Sequence, residues 1–96
     1  MFCKVHDIPS GAVLACCDCE LLGKTLEEEG LSFTVKDSFY GGARVSEKTL
    51  LEMLGEAESA NIVGERCVGA AQRTGLINAS GIRYIAGVPH AQFFRI

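Results

Sequence analysis

The segment Ser59–Gly75 reads SANIVGERCVGAAQRTG and contains almost no bulky side chains. Its apolar residues recur at helical spacing, which predicts one helix with a single buried stripe. Gly64 and Gly69 would each cost the interior of such a helix roughly 1 kcal/mol relative to alanine, so close packing must offset them. We therefore expect a sheet to lie directly against this helix.

The first third of the chain predicts three strands. Phe2–Ile8 alternates in polarity and Ala12–Cys17 is continuously apolar, so the two predict a hairpin. Leu31–Lys36 has the strongest alternation in the chain and predicts a half-buried strand. Between them, Glu20–Gly30 is predicted to be irregular, with at most one helical turn.

The remaining segments predict one more helix and one or two strands. Ser46 is a good N-cap, and the apolar residues that follow it to Ala57 predict a helix, either separate from Ser59–Gly75 or continuous with it. Gly75 is expected to end the second helix in the left-handed conformation. Gly81–Ile96 predicts strand structure interrupted near Pro89.

Because the helices are grouped together, this order predicts an α+β fold. We expect a two-layer α-β sandwich, with a mainly antiparallel or mixed sheet and two helices on one face. The 96 residues suffice for one domain with one core, residues 1–96.

Composition favours a soluble globular protein. Hydrophobic residues make up 48% and charged residues 22% of the chain. The start of the chain lacks the basic and apolar regions of a signal peptide, and the longest apolar run, Ala12–Cys17, is far too short to cross a bilayer. These features predict a cytoplasmic protein without a membrane partner.

Charge is distributed unevenly along the chain. The net charge of −3 combines −7 over residues 1–65 with +4 over residues 66–96. The four cations of the second segment are Arg66, Arg73, Arg83 and Arg95. Arginine suits phosphate binding and stacking, so these residues indicate an RNA-binding rim around His90. The alternative is that they solvate the surface or pair with acids of the first segment.

Four blocks of sequence resemble the archaeal domain of unknown function 424 family. They are Cys17-Asp18 with Glu20–Lys24, Phe39–Gly42, Ala60–Glu65 and Gly87–Gln92. The resemblance implies a small two-layer α-β domain that lacks an established enzymatic activity and belongs with information-processing proteins. Cys16 and Cys19 lie outside the family pattern, so a metal or redox role for them would not extend to the family.

The five cysteines are expected to be free thiols, with no metal and no cofactor. They are Cys3, Cys16, Cys17, Cys19 and Cys67. Their number is odd and their spacing irregular. Cys16 and Cys19 form one C-x-x-C pair, whereas a structural zinc site usually has two.

A polar cluster is predicted from two pairs of residues. Asn61 and Glu65 would share one helical face, and His90 and Gln92 share one face of the last strand. If the pairs meet, they form a binding site, or a catalytic site in which Glu65 orients His90 for acid-base work. Alternatively, these side chains only satisfy backbone groups near the glycine and proline irregularities.

The segment Tyr40-Gly41-Gly42 precedes a predicted helix N-terminus. Its backbone N–H groups are candidates for anion binding, with Lys24 and Arg44 adding positive charge. The alternative is that the glycines simply make a turn.

These observations favour a noncatalytic module that binds RNA or a ribonucleoprotein partner and functions in translation or other information processing. The predicted binding residues are Lys24, Tyr40, Gly41, Gly42, Asn61, Arg66, Arg83, His90, Gln92 and Arg95. Tyr40 and Tyr84 are the expected stacking aromatics. Two alternatives stay open: a small enzyme that uses Glu65 and His90, and a protein-binding adaptor.

Overall fold

The computed structural model describes residues 1–9 and 11–94, which contain eight strands and three α-helices. In chain order they are β1 (Phe2–Ile8), β2 (Gly11–Cys17), β3 (Thr25–Glu28), β4 (Leu31–Thr34), α1 (Asp37–Tyr40), β5 (Ala43–Arg44), α2 (Glu47–Glu56), β6 (Ser59–Val63), α3 (Glu65–Arg73), β7 (Arg83–Ile85) and β8 (Val88–Phe94). None of the helices in these ranges is long and apolar enough to cross a membrane.

Six strands form one mixed sheet in the order β5-β1-β2-β6-β8-β7. The β2–β6 pair is parallel, with Leu14 opposite Ala60, and the other pairs are antiparallel. Strands β3 and β4 form a separate two-stranded hairpin. The predicted α+β class with a mixed sheet is confirmed.

The two faces of the sheet are covered differently. Helices α2 and α3 pack on one face, where Leu50 and Cys67 are buried with Ile62 of the sheet. On the other face, α1 and residues around the β3–β4 hairpin enclose a smaller cluster that includes Val35 and Tyr40. This second cover was not predicted, and it leaves part of β6 and β8 open.

The prediction of one helix over Ser59–Gly75 is wrong at its N-terminal end. Ser59–Val63 is strand β6, and Gly64, at φ 110°, leads into helix α3. Both elements bury apolar side chains, so a continuous helical period was an equally good description of the sequence. Gly64 is therefore a junction residue rather than part of a helix interior.

Asp18 fixes this junction from the end of β2. Its side chain is 2% exposed and accepts hydrogen bonds from the backbone N–H groups of Arg66 at 3.0 Å and Cys67 at 2.9 Å. A carboxylate suits the first turn of a helix, where N–H groups lack partners within the helix. A Cβ atom at Gly64 would lie 2.3 Å from Cγ of Asp18, so the contact requires glycine.

Several other local predictions are confirmed. β1 and β2 form the expected antiparallel hairpin. The Ser46 hydroxyl accepts a hydrogen bond from the Thr49 N–H at 3.2 Å and caps α2, and Gly75 has φ 79° after α3. The prediction that Glu20–Gly30 is irregular is wrong in part, because β3 lies within it and pairs with β4.

Candidate functional site

Polar side chains lie on the sheet face opposite α2 and α3, in the part that α1 and the β3–β4 hairpin leave uncovered. Ile62 and Ala91 point to the helices, so alternation places Asn61, His90 and Gln92 on the other side. Asn61 lies directly opposite Gln92, and His90 is opposite Val63. The structure thus brings these three predicted residues together.

Phe94 extends this polar row to the end of β8. It follows Gln92 by two residues, so it faces the same side, and it is 73% exposed. It lines a hollow of about 340 Å³ together with Asn61 and Gln92. Sequence reasoning missed Phe94, although the alternation His90, Gln92, Phe94 was visible in the sequence.

Arg83 completes the surface from the neighbouring strand. It lies on β7 directly opposite His90, and its side chain is exposed. We call the surface formed by Asn61, Arg83, His90, Gln92 and Phe94 the open face.

A cleft of about 340 Å³ separates the open face from the β3–β4 hairpin. Its polar and aromatic lining consists of Phe33, Tyr40, Asn61, Arg83, His90 and Gln92. We call it the His90 cleft. It lies next to the hollow beside Phe94, because Asn61 and Gln92 line both.

The His90 side chain is partly buried and lines this cleft. Its ring meets Phe33 edge-on, with the centroids 4.7 Å apart and the planes at 84°. Its Nε2 atom is buried and has no hydrogen-bond partner among the described residues. Burial lowers the pKa of His90, and the positive charge of Arg83 lowers it further, so both favour the neutral imidazole.

The three C-terminal arginines that the structure describes, Arg66, Arg73 and Arg83, do not form a common rim around His90. Arg83 lines the His90 cleft, whereas Arg73 forms an ion pair with Glu47 between α3 and α2. Arg66 lies in the first turn of α3 and does not line the cleft. Arg95 lies outside the described residues.

Glu65 is separated from the polar row. It is the first residue of α3, and its exposed side chain does not line the His90 cleft. The expectation that it shares a helical face with Asn61 is wrong, because Asn61 belongs to β6. No hydrogen bond or ion pair within residues 1–9 and 11–94 joins Glu65 to His90.

The Tyr40-Gly41-Gly42 segment packs tightly against β1. A Cβ atom at Gly42 would lie 2.2 Å from the backbone oxygen of Cys3, and one at Gly41 would meet the Asp37 side chain. Tyr40 is buried, which raises its pKa to about 12. Neither glycine has a positive φ, so close packing rather than a left-handed turn accounts for both. Their N–H groups donate to the carbonyl oxygens of Asp37 and Tyr40, which argues against the predicted anion site, and Lys24 is exposed without lining the cleft.

The two tyrosines do not serve as stacking surfaces on the open face. Tyr40 forms a wall of the His90 cleft, with little exposed surface of its own. Tyr84 is 61% exposed but lies opposite Pro89, so alternation directs it away from Arg83 and the open face.

All five cysteines are free. Cys3 and Cys16 are directly opposite across β1 and β2, with their Sγ atoms 3.2 Å apart. Burial raises the pKa of Cys67, and it raises the pKa of Cys17 to about 11. Within the described part of the chain, no group of three or more histidine, cysteine and acidic residues is arranged to hold a metal ion.

Comparison with known proteins identifies a family whose description gives its function as unknown. The family model described as "Protein of unknown function (DUF424)" matches residues 6–96. The crystal structure of an uncharacterized conserved protein from Methanopyrus kandleri is similar, with 29% identity and a TM-score of 0.79 over 96% of this chain and 88% of that chain. No curated protein matches this chain.

Proposed function

Because the chain belongs to the DUF424 family, whose description assigns no activity, we propose a function from the open face itself. The protein is a noncatalytic module that binds single-stranded RNA across the open face, as part of a ribonucleoprotein or of the translation apparatus.

One observation carries this proposal: the alignment of Phe94, Gln92 and His90 along β8. Side chains two residues apart on a strand are about 6.6 Å apart, a spacing that allows successive bases of an extended RNA strand to contact them. Sheets that bind RNA use exposed aromatic side chains to stack unpaired bases. Phe94, which is exposed beside two amides, provides such a stacking surface.

The polar groups beside Phe94 suit the edges of bases. Asn61 and Gln92 face each other across β6 and β8, and each amide offers donors and an acceptor. Arg83 provides a planar cation for a phosphate at the edge of the face.

Electrostatics make a small contribution to this binding. The chain has a net charge of −3, and Arg83 is the one cation among the five residues of the open face. Affinity for RNA therefore depends mainly on stacking and hydrogen bonds, and we expect a shallow salt dependence equivalent to about one phosphate contact, a log-log slope of about −0.7.

The proposal is tested by fluorescence anisotropy with short fluorescein-labelled oligoadenylate and oligouridylate. Phe94→Ala should weaken binding by about 5- to 150-fold, because stacking of one base on an aromatic side chain is worth about 1–3 kcal/mol. Since Phe94 is largely exposed, the substitution should leave the thermal midpoint nearly unchanged.

Tyr84→Ala is the matched control, because Tyr84 is also a largely exposed aromatic residue, 61% against 73% for Phe94, and it faces away from the open face. It should bind RNA like the wild type. Equal losses in both variants, or no measurable binding by the wild type to either oligonucleotide, would refute the proposal.

A further inference from the structure

We propose that the His90 cleft is a subsite for one unstacked nucleobase of the bound RNA, with Nε2 of His90 as the hydrogen-bond partner of that base. This inference rests on the proposed function and specifies what binds in the His90 cleft: a single nucleobase.

The position of the cleft supports this assignment. Asn61 and Gln92 line the hollow beside Phe94 and also the His90 cleft, so a strand crossing the open face passes the mouth of the cleft. A base turned out of that strand can enter between the hairpin and the sheet. Phe33 forms the hairpin side of the space and supplies an apolar surface.

The unpaired Nε2 atom of His90 gives the cleft its hydrogen-bonding specificity. A buried polar atom without a partner is costly, and native proteins usually pair such atoms. No described side chain or backbone group pairs with this nitrogen. Nε2 has almost no accessible surface in this structure, so a base reaches it only when side chains around the imidazole, which packs on Phe33, shift on binding. The edge of the base then presents donors and acceptors that can satisfy the nitrogen in either tautomer.

The interior of the cleft suits a neutral heterocycle rather than a charged group. Its polar residues are two amides, an imidazole whose neutral form is favoured, and the buried Tyr40. Among the lining residues, Arg83 carries the one formal charge. We therefore place the base inside the cleft and a neighbouring phosphate near Arg83.

Abasic scanning tests the subsite. Removing the bases one at a time from the tighter-binding short oligonucleotide should reveal two sensitive positions: one for the base stacked on Phe94, and a second, for the base in the cleft, at which affinity for the wild type falls by about 5- to 10-fold, as expected for one lost hydrogen bond. In His90→Ala, RNA should still bind through Phe94, but the loss at the second position should disappear. Lys48→Ala, on the exposed surface of α2, is the control and should retain the wild-type profile.

A second measurement on the wild type keeps the test decisive if His90→Ala does not fold. The ¹⁵N signal of His90 Nε2 should move when the intact oligonucleotide is added, and should not move when the oligonucleotide lacks the base at the second position. RNA whose abasic profile shows a loss only at the base stacked on Phe94, and which leaves this signal unchanged, would overturn the subsite while leaving the proposed function intact. Absence of RNA binding by the wild type would instead overturn both.

Discussion

Gly64 connects β6 to α3 in a conformation that few other residues adopt. Its φ of 110° lies where side chains are strained, and the carboxylate of Asp18 occupies the space that a Cβ atom would need. The same carboxylate caps α3 through two backbone N–H groups. Together, the two residues therefore fix where the strand ends and where the helix begins.

Gly64→Leu should destabilise the protein by about 2 to 5 kcal/mol, because backbone strain and overpacking each cost about 1–3 kcal/mol. Thermal or denaturant unfolding measures the change. Gly69→Ala is the matched control: Gly69 lies inside α3, and an added Cβ atom meets Arg73 at an ordinary 3.5 Å. It should be neutral or stabilising by up to about 1 kcal/mol. A wild-type midpoint for Gly64→Leu would contradict this account of the junction.

The candidate site residues that could be predicted from the sequence are those whose side chains follow the alternation of a strand. His90 and Gln92 follow the period of two on β8, and this part of the sequence prediction needed no knowledge of tertiary structure. Glu65 was misplaced because its position depended on the helix register assumed for the segment. Phe94 was missed because the sequence does not show which aromatic side chains a neighbouring element covers: Tyr40 is buried, whereas Phe94 is exposed.

At the level of elements, β6 and α3 show why periodicity alone could not place the strand. Each contributes apolar side chains to the buried layer between the sheet and the helices. The apolar positions of the strand and of the helix that follows it therefore match one helical repeat. The pairing of β6 with β2 and β8 is a long-range interaction, which no local pattern reveals. The β3 strand was missed for the same reason, because its stability depends on pairing with β4.

The cysteines of β2 lead to a prediction about thiol reactivity. Cys16 and Cys17 point to opposite faces of the sheet, and both faces are covered, so both thiols are buried, as are Cys3 and Cys67. Cys19 follows the strand and is partly exposed. Since the thiolate is the reactive form and must be accessible, Ellman's reagent at pH 8 should modify one thiol of the native protein quickly.

Cys19→Ser should remove this fast phase, and denaturant should expose the remaining four thiols. Two or more fast thiols in the native wild type would show that the covers of the sheet open readily. Cys16→Ser offers a comparison, because replacing a buried thiol should leave the fast phase intact.

The whole molecule is asymmetric about its sheet. Helices α2 and α3 cover one face, while α1 and the β3–β4 hairpin cover only part of the other. The sequence predicted the class of this fold because grouped helices on a mixed sheet follow from element order. It did not predict which part of the sheet stays uncovered, since that depends on where the hairpin packs.

Charge along the sequence was a poor guide to charge in space. Of the arginines that the structure describes in the last third of the chain, Arg66 and Arg73 lie on α3 and Arg83 lies on the open face, and Arg73 pairs with Glu47. The candidate RNA site therefore depends on the chemistry of the open face and on the exposed Phe94, not on a basic patch.

The most direct test of RNA binding by the open face is NMR mapping of backbone amides during titration with unlabelled oligoadenylate or oligouridylate. We expect the shifted signals to concentrate on β6, β7 and β8, around Asn61, Arg83 and Gln92, with α2 and α3 unchanged. Shifts confined to α2 and α3, or no shifts at saturating RNA, would contradict the assignment of the open face as the binding surface.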